Sequence, residues 1–299
     1  MTGTASGSQD LSPQGVAALV DRAGQILRLH GMTPPWGLLL VGSRALGTGA
    51  ADSNVNLLVI DPEVSSAQPV GACPGTVRRP TTLCDNIIVE PAHGAPEISI
   101  EVVGGAALHR LAEVMAAVEV LDNPDASKLG LPAPDLMEIR LLARLISGTV
   151  LEGAGEVAAW RDRMHVSRVP SWYVACTFEV ARHYYVRAQA ALADGDRLSA
   201  ALVAHTAAEH LAFCAAVPHG LLLHESKKLG AHIGALRALQ SGGPEELPRV
   251  LLELEQYLWT PVPELRIRLL AEWADDLLDY LRGKAEFGDA IAFLCGGAR

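Results

Sequence analysis

The sequence is poor in the features that would assign it quickly. Lysine occurs four times in 299 residues, Lys227-Lys228 is the only lysine pair, and the formal net charge is −10. Nucleic-acid backbones are held by clustered Lys and Arg, so this balance excludes a nucleic-acid binder. The five cysteines, at 73, 84, 176, 214 and 295, are odd in number and contain no C-x-x-C pair. They read as reduced thiols of a cytoplasmic protein, not as a disulfide framework. No run approaches about 18 uncharged apolar residues, so no membrane span is expected. The opening MTGTASGSQD has neither a charged nor an apolar region and does not read as a secretory signal. No G-x-G-x-x-G follows an apolar strand pattern, which removes the dinucleotide fingerprint.

What is present is an apolar chain that prefers arginine. Hydrophobic residues make up 49% of it, enough to bury the core of one large domain or two smaller ones. Arginine outnumbers lysine twenty to four and alanine is abundant, a composition in keeping with a bacterial source. The expected partner is a small metabolite or another protein.

Residues 1–10 are small and polar and read as disordered. Ser12-Pro13 is a good N-cap and first-helical pair. VAALVDRAGQILRLHG then repeats apolar residues at helical spacing up to Gly31, which predicts an amphipathic helix. WGLLLV and VNLLVI (55–60) predict buried strands. The Pro-, Gly- and Ser-rich excursion from Asp61 to about Arg79 reads as loop. NIIVE (86–90) and EISIEVV (97–103) bracket the turn signal PAHGAP and predict an antiparallel pair. LHRLAEVMAAVEVL and PDLMEIRLLARLISGTVL read as helical. From about residue 168 the apolar period is near 3.6, with Gly195, Gly220, Gly242-Gly243 and Gly283 as stops. The expected class is α+β: a mixed sheet with helices over residues 11–167, then a helical bundle over 168–299, with the working cleft between them.

One stretch carries a specific pattern. Gly42-Ser43 ends the first strand, Arg44 and Gly47 follow, and Ser53-Asn54-Val55-Asn56-Leu57 opens the second. It resembles the signature of the nucleotidyltransferase superfamily, the polymerase-β-like fold of kanamycin nucleotidyltransferase and the minimal nucleotidyltransferases. There a Gly-Ser is followed, after a spacer, by Ser-Asp-x-Asp-Leu. A third family carboxylate lies on a later strand, and Ile100-Glu101-Val102 occupies that place. EIRLLARLISGTVLEGAGEVAAW resembles the family's helix, Gly and Leu-acidic segment. ALADGDRLSAALVAHTAAEHLA and HESKKLG resemble its accompanying helical domain.

The resemblance implies a Gly-Ser nest for phosphate oxygens and carboxylates that hold Mg²⁺. Alternate residues of a strand share a face, so the family's D-x-D aims two carboxylates together. Asn54 and Asn56 keep that shape and lose both charges. Asp52, two residues earlier, is a candidate stand-in, and with Glu101 it would serve a surviving Mg²⁺- and ATP-dependent nucleotidyl transfer to a small molecule such as an aminoglycoside-like antibiotic. Otherwise no cofactor is required. A pocket relieved of negative charge suits an anion bound directly by the Gly42-Ser43 nest, Ser53, Arg44, Asn54 and Asn56.

The resemblance also places Glu209 as a candidate base beside His205, and Lys227 or Lys228 near phosphates, while a packing or solvated role competes for each. Half of the ten histidines fall in 205–232, yet HTAAEH is not HExxH, so no metal ligand set is assigned there. His183, Tyr184 and Tyr185 read as packing, and Cys176 and Cys214 show no base partner.

Three functions follow as expectations. The first is a degenerate nucleotidyltransferase-fold enzyme doing metal-independent group transfer, displacement or elimination on a small polar metabolite (phosphorylated, sulfated or amine-bearing) in bacterial specialised metabolism, with Glu101 or Glu209 taking the proton. The second is an inactive binding or regulatory subunit, with a protein partner or oligomer. The third is the magnesium enzyme.

Overall fold

A computed structural model describes residues 13–45, 53–61, 76–80, 84–89, 97–116, 136–223, 229–240 and 247–296. These divide into two compact units, one ending at Val166 and the other starting at Ser167. The class is α+β.

The first unit is built on a six-stranded sheet in the order β3-β4-β5-β2-β1-β6. Its strands are β1 (Gly37–Val41), β2 (Val55–Asp61), β3 (Thr76–Pro80), β4 (Cys84–Val89), β5 (Ile98–Gly104) and β6 (Thr149–Glu152). Only β2 and β5 run parallel; all other neighbours are antiparallel. Helix α1 (Pro13–Leu29) lays Ala23, Ile26 and Leu27 over Leu38, Leu40, Val55, Leu57, Val59, Ile98, Ile100 and Val102, the inward alternation of three strands. It stops as its sequence predicts. Gly31 takes φ +79, its N–H reaches the Arg28 carbonyl, and the Met32 N–H reaches Leu27, closing a Schellman cap. The remaining helices of this unit are α2 (Gly105–Ala116), α3 (Leu136–Ser147) and α4 (Ala154–Arg163).

Two expectations are corrected. The loop expected up to Arg79 ends earlier, because Thr76–Pro80 pairs with β4 as an edge strand. Its TVRRP sequence has two adjacent arginines and a proline, which an edge tolerates and a central strand does not. The helix expected through ISGTVL ends at Ser147, and Thr149–Glu152 pairs with β1. At Gly148 a Cβ would meet the Arg144 carbonyl oxygen at 2.5 Å, so the close exit from helix to strand requires glycine. The reading of residues 1–10 falls outside the described residues.

The second unit holds α5 (Val169–Ala193), α6 (Arg197–Ala216), α7 (Leu229–Gln240), α8 (Arg249–Leu258), α9 (Pro263–Arg282) and α10 (Gly288–Gly296). The turn between α5 and α6 reads directly from ADGD: Gly195 takes φ +81, and the Asp196 side chain accepts from the Ser199 N–H to cap α6. Gly220 is also left-handed, whereas Gly283 is right-handed. Buried Ala200, Ala204, Ala207, Ala208 and Ala212 let α6 approach its neighbours closely. Trp172, Tyr257 and Trp273 fill the core, with the Tyr257 hydroxyl donating to the Ala204 carbonyl (2.9 Å) and Trp273 Nε1 to Glu253 (2.9 Å). The stretch Arg197–His219 reaches the length and mean hydropathy, 1.4, of a membrane span. Burial accounts for that composition, since 61% of the window lies inside the packed helices, as in a core helix.

Candidate functional site

The site is assembled on the sheet face opposite α1. In the parallel pair, Asn56 is level with Ser99 and Leu58 with Glu101. The α1 face takes Leu57, Ile98 and Ile100, so Asn56, Ser99 and Glu101 share the other face. Glu101 lies two residues beyond Ser99, about 7 Å along the strand.

β1 delivers the Gly-Ser turn to the same end of the sheet. Val41, level with Asn56, is extended; Gly42 then turns to φ +77, and Gly42–Arg44 form one tight helical turn. A Cβ on Gly42 would lie 3.3 Å from Asn56 Nδ2, so the turn sits directly on the Asn56 carboxamide. Ser43 is buried. Arg44 works on the loop itself: its Nε (2.9 Å) and Nη2 (2.7 Å) both donate to the Ser53 carbonyl, clasping the two ends of the segment that joins β1 to β2. Asn54 is exposed and donates from Nδ2 to Glu97 Oε1 (2.8 Å).

Glu101 is only 8% exposed, and both its oxygens are engaged. Arg140 Nη2 donates to Oε1 (2.6 Å), and Arg144 Nη1 donates to Oε2. The two arginines stand one turn apart on α3, so one helix face meets one carboxylate. Sequence reasoning missed both. Their signal was the i, i+4 arginines inside an apolar helix, EIRLLARL, in a chain already known to carry a buried acid on a strand. On the same helix Glu138 is buried and accepts from Arg110 (3.0 Å).

Asp52, Lys227 and Lys228 fall outside the described residues. His205 and Glu209 are in the second unit, 3.4 Å apart along α6. Of the other histidines in that stretch, His210 Nδ1 contacts the Thr206 carbonyl (2.8 Å), and His219 stacks on Tyr280. Tyr184 meets His183 and His210 edge to face or tilted, which is packing. Among the described residues no three His, Cys, Asp or Glu side chains form a metal-ligating group.

Burial pushes the Cys176 thiol up to about 12, with the Glu179 charge adding to it, and burial raises Cys214 well above the ordinary range. Both are therefore neutral thiols near neutral pH and poor nucleophiles. Iodoacetamide at about pH 8 is expected to leave Cys176 and Cys214 unmodified in the folded protein and to label both after denaturation. Peptide mass spectrometry reads this directly, and labelling of either in the folded state would contradict it.

No protein-family model matches the chain, and no curated protein matches it. Among solved structures it is similar to a nucleotidyltransferase-like protein from Exiguobacterium sibiricum 255-15, with 16% identity and a TM-score of 0.41, over 91% of this chain and 78% of that one.

Proposed function

We propose that the protein is a degenerate member of the nucleotidyltransferase-like fold whose sheet-face site takes a small polar, anionic metabolite without a divalent metal. Its reaction would be a group transfer, displacement or elimination in which an anion is held by protein donors alone. The observation that carries this reading is the state of the acidic positions. Asn54 and Asn56 offer neutral carboxamides, and the carboxylate of Glu101 is occupied by Arg140 and Arg144. Magnesium takes its affinity from hard anionic oxygens in octahedral array. Two amides and an acid already paired with two cations do not fit it.

The charge balance supports the same conclusion. Among the described residues in these contacts, Arg44, Arg110, Arg140 and Arg144 bring four positive charges, and Glu97, Glu101 and Glu138 bring three negative ones, leaving one positive charge. That excess stands on a chain whose formal charge is −10. A surface that is locally cationic on an acidic protein attracts anions.

Titration calorimetry tests the reading with inorganic phosphate and with ATP, each in excess Mg²⁺ and in excess EDTA. Binding that is unchanged by EDTA is expected. ATP binding that vanishes in EDTA would overturn the proposal and restore the magnesium enzyme.

A further inference from the structure

We infer that Arg140 is the residue that captures the substrate's oxyanion, so that a guanidinium stands where the charge of a bound cation would otherwise be needed. This rests on the metal-free reading above and assigns its cation.

Arg44 and Arg140 differ in what their guanidiniums already do. Arg44 spends two of its donors on one backbone carbonyl, that of Ser53. Arg144 is the inner partner of Glu101, its side chain 13% exposed. Arg140 is the outer one, 30% exposed, and among the described residues its one hydrogen bond is from Nη2 to Glu101. A guanidinium carries five N–H donors in a rigid fork. Glu101 therefore fixes Arg140 at one corner and leaves the rest of the fork for a ligand. The anchored fork has lost its rotamer freedom before the ligand arrives, so less is lost on binding.

The charges fit as well. Arg140 and Arg144 together bring two positive charges, Glu101 removes one, and the trio keeps one in a partly desolvated position. A small oxyanion (phosphate, sulfate or carboxylate) completes it. Such charge-assisted bonds to Arg are the stronger ones, and an extra anion cancels the excess. Arg144 then has a different role. It neutralises Glu101 from within and keeps that carboxylate from repelling the ligand, which makes it a positioning residue.

The test is calorimetry of the full-length protein with inorganic phosphate, sulfate and acetate in EDTA, on wild type, R140Q, R140K and E101Q. R140Q is expected to weaken oxyanion binding about tenfold or more, and a cooperative urea-unfolding transition shows that the variant is still folded. R140K, a point charge without the fork, should fall between. E101Q removes the competing negative charge while its one carbonyl oxygen still accepts from one of the two arginines, so it should bind on the order of tenfold tighter. A merely structural role for the trio would weaken binding in both Arg140 and Glu101 variants. If wild type binds phosphate in EDTA and R140Q binds it equally well, this inference is wrong while the metal-free reading stands. If wild type binds no oxyanion without Mg²⁺, the reading itself is wrong. Preference among the three probes identifies the class: tightest binding of acetate would assign a carboxylate substrate, and tightest binding of phosphate or sulfate the corresponding ester.

Discussion

Replacing Glu101 with alanine is expected to lower the unfolding free energy by about 3–5 kcal/mol, the usual penalty for removing one partner of a buried ion pair. The cause is what remains behind. Arg140 and Arg144 would face each other across the vacated space with no carboxylate between them, and Arg144 is too enclosed to move its charge fully into water. Each guanidinium would lose its charge-assisted bond while keeping the cost of partial desolvation. Urea denaturation measures the loss. The double variant E101A/R144M should recover part of it, because taking out the buried cation with the buried anion removes the unpaired charge. A loss below about 1 kcal/mol in E101A would mean that the trio behaves as a surface pair. In that case the anchored fork argued for Arg140 would have no anchor.

Gly153→Ala is the second large effect, about 2–5 kcal/mol of destabilisation from backbone strain plus overpacking. Gly153 follows β6 at φ +66 and opens α4. A Cβ there would lie 2.0 Å from the Trp36 carbonyl oxygen and 3.0 Å from the Gly37 Cα. Both neighbours are backbone at the entrance to β1, so neither can swing aside without shifting the strand that ends in the Gly42 turn. Gly155, two residues on, is the internal control. Nothing lies within 4 Å of its added Cβ, and it is in α4. Gly155→Ala should be neutral or stabilise by up to about 1 kcal/mol, since alanine is the better helix former. Opposite signs from two glycines in one short segment, read by urea denaturation, would separate steric need from composition. Equal effects would count against the strand-to-helix geometry described for this turn.

Much of the architecture was legible in the linear chain because it rests on short-range rules. The apolar runs of GLLLV and VNLLVI and the helix stops at Gly31 and Gly195 are all decided within a few residues. So was the neutrality of Asn54 and Asn56, which is a matter of identity alone. The edge strand Thr76–Pro80 and the strand Thr149–Glu152 were not legible. Each is a strand only because a neighbour offers unpaired backbone groups, and no local pattern announces that neighbour.

The acidic position at 101 divides in the same way. The sequence alone determined that a carboxylate stands on an apolar strand after a Gly-Ser pair, and that Asn54 and Asn56 are neutral amides. Tertiary structure decided that this carboxylate is shared by two arginines lying 39 and 43 residues further along the chain. Charge pairing of this kind depends on which helix crosses which strand, and separation along the chain carries no information about it. The physical consequence is that the acid seen in the sequence stands, once folded, between two guanidiniums, two positive charges against its one.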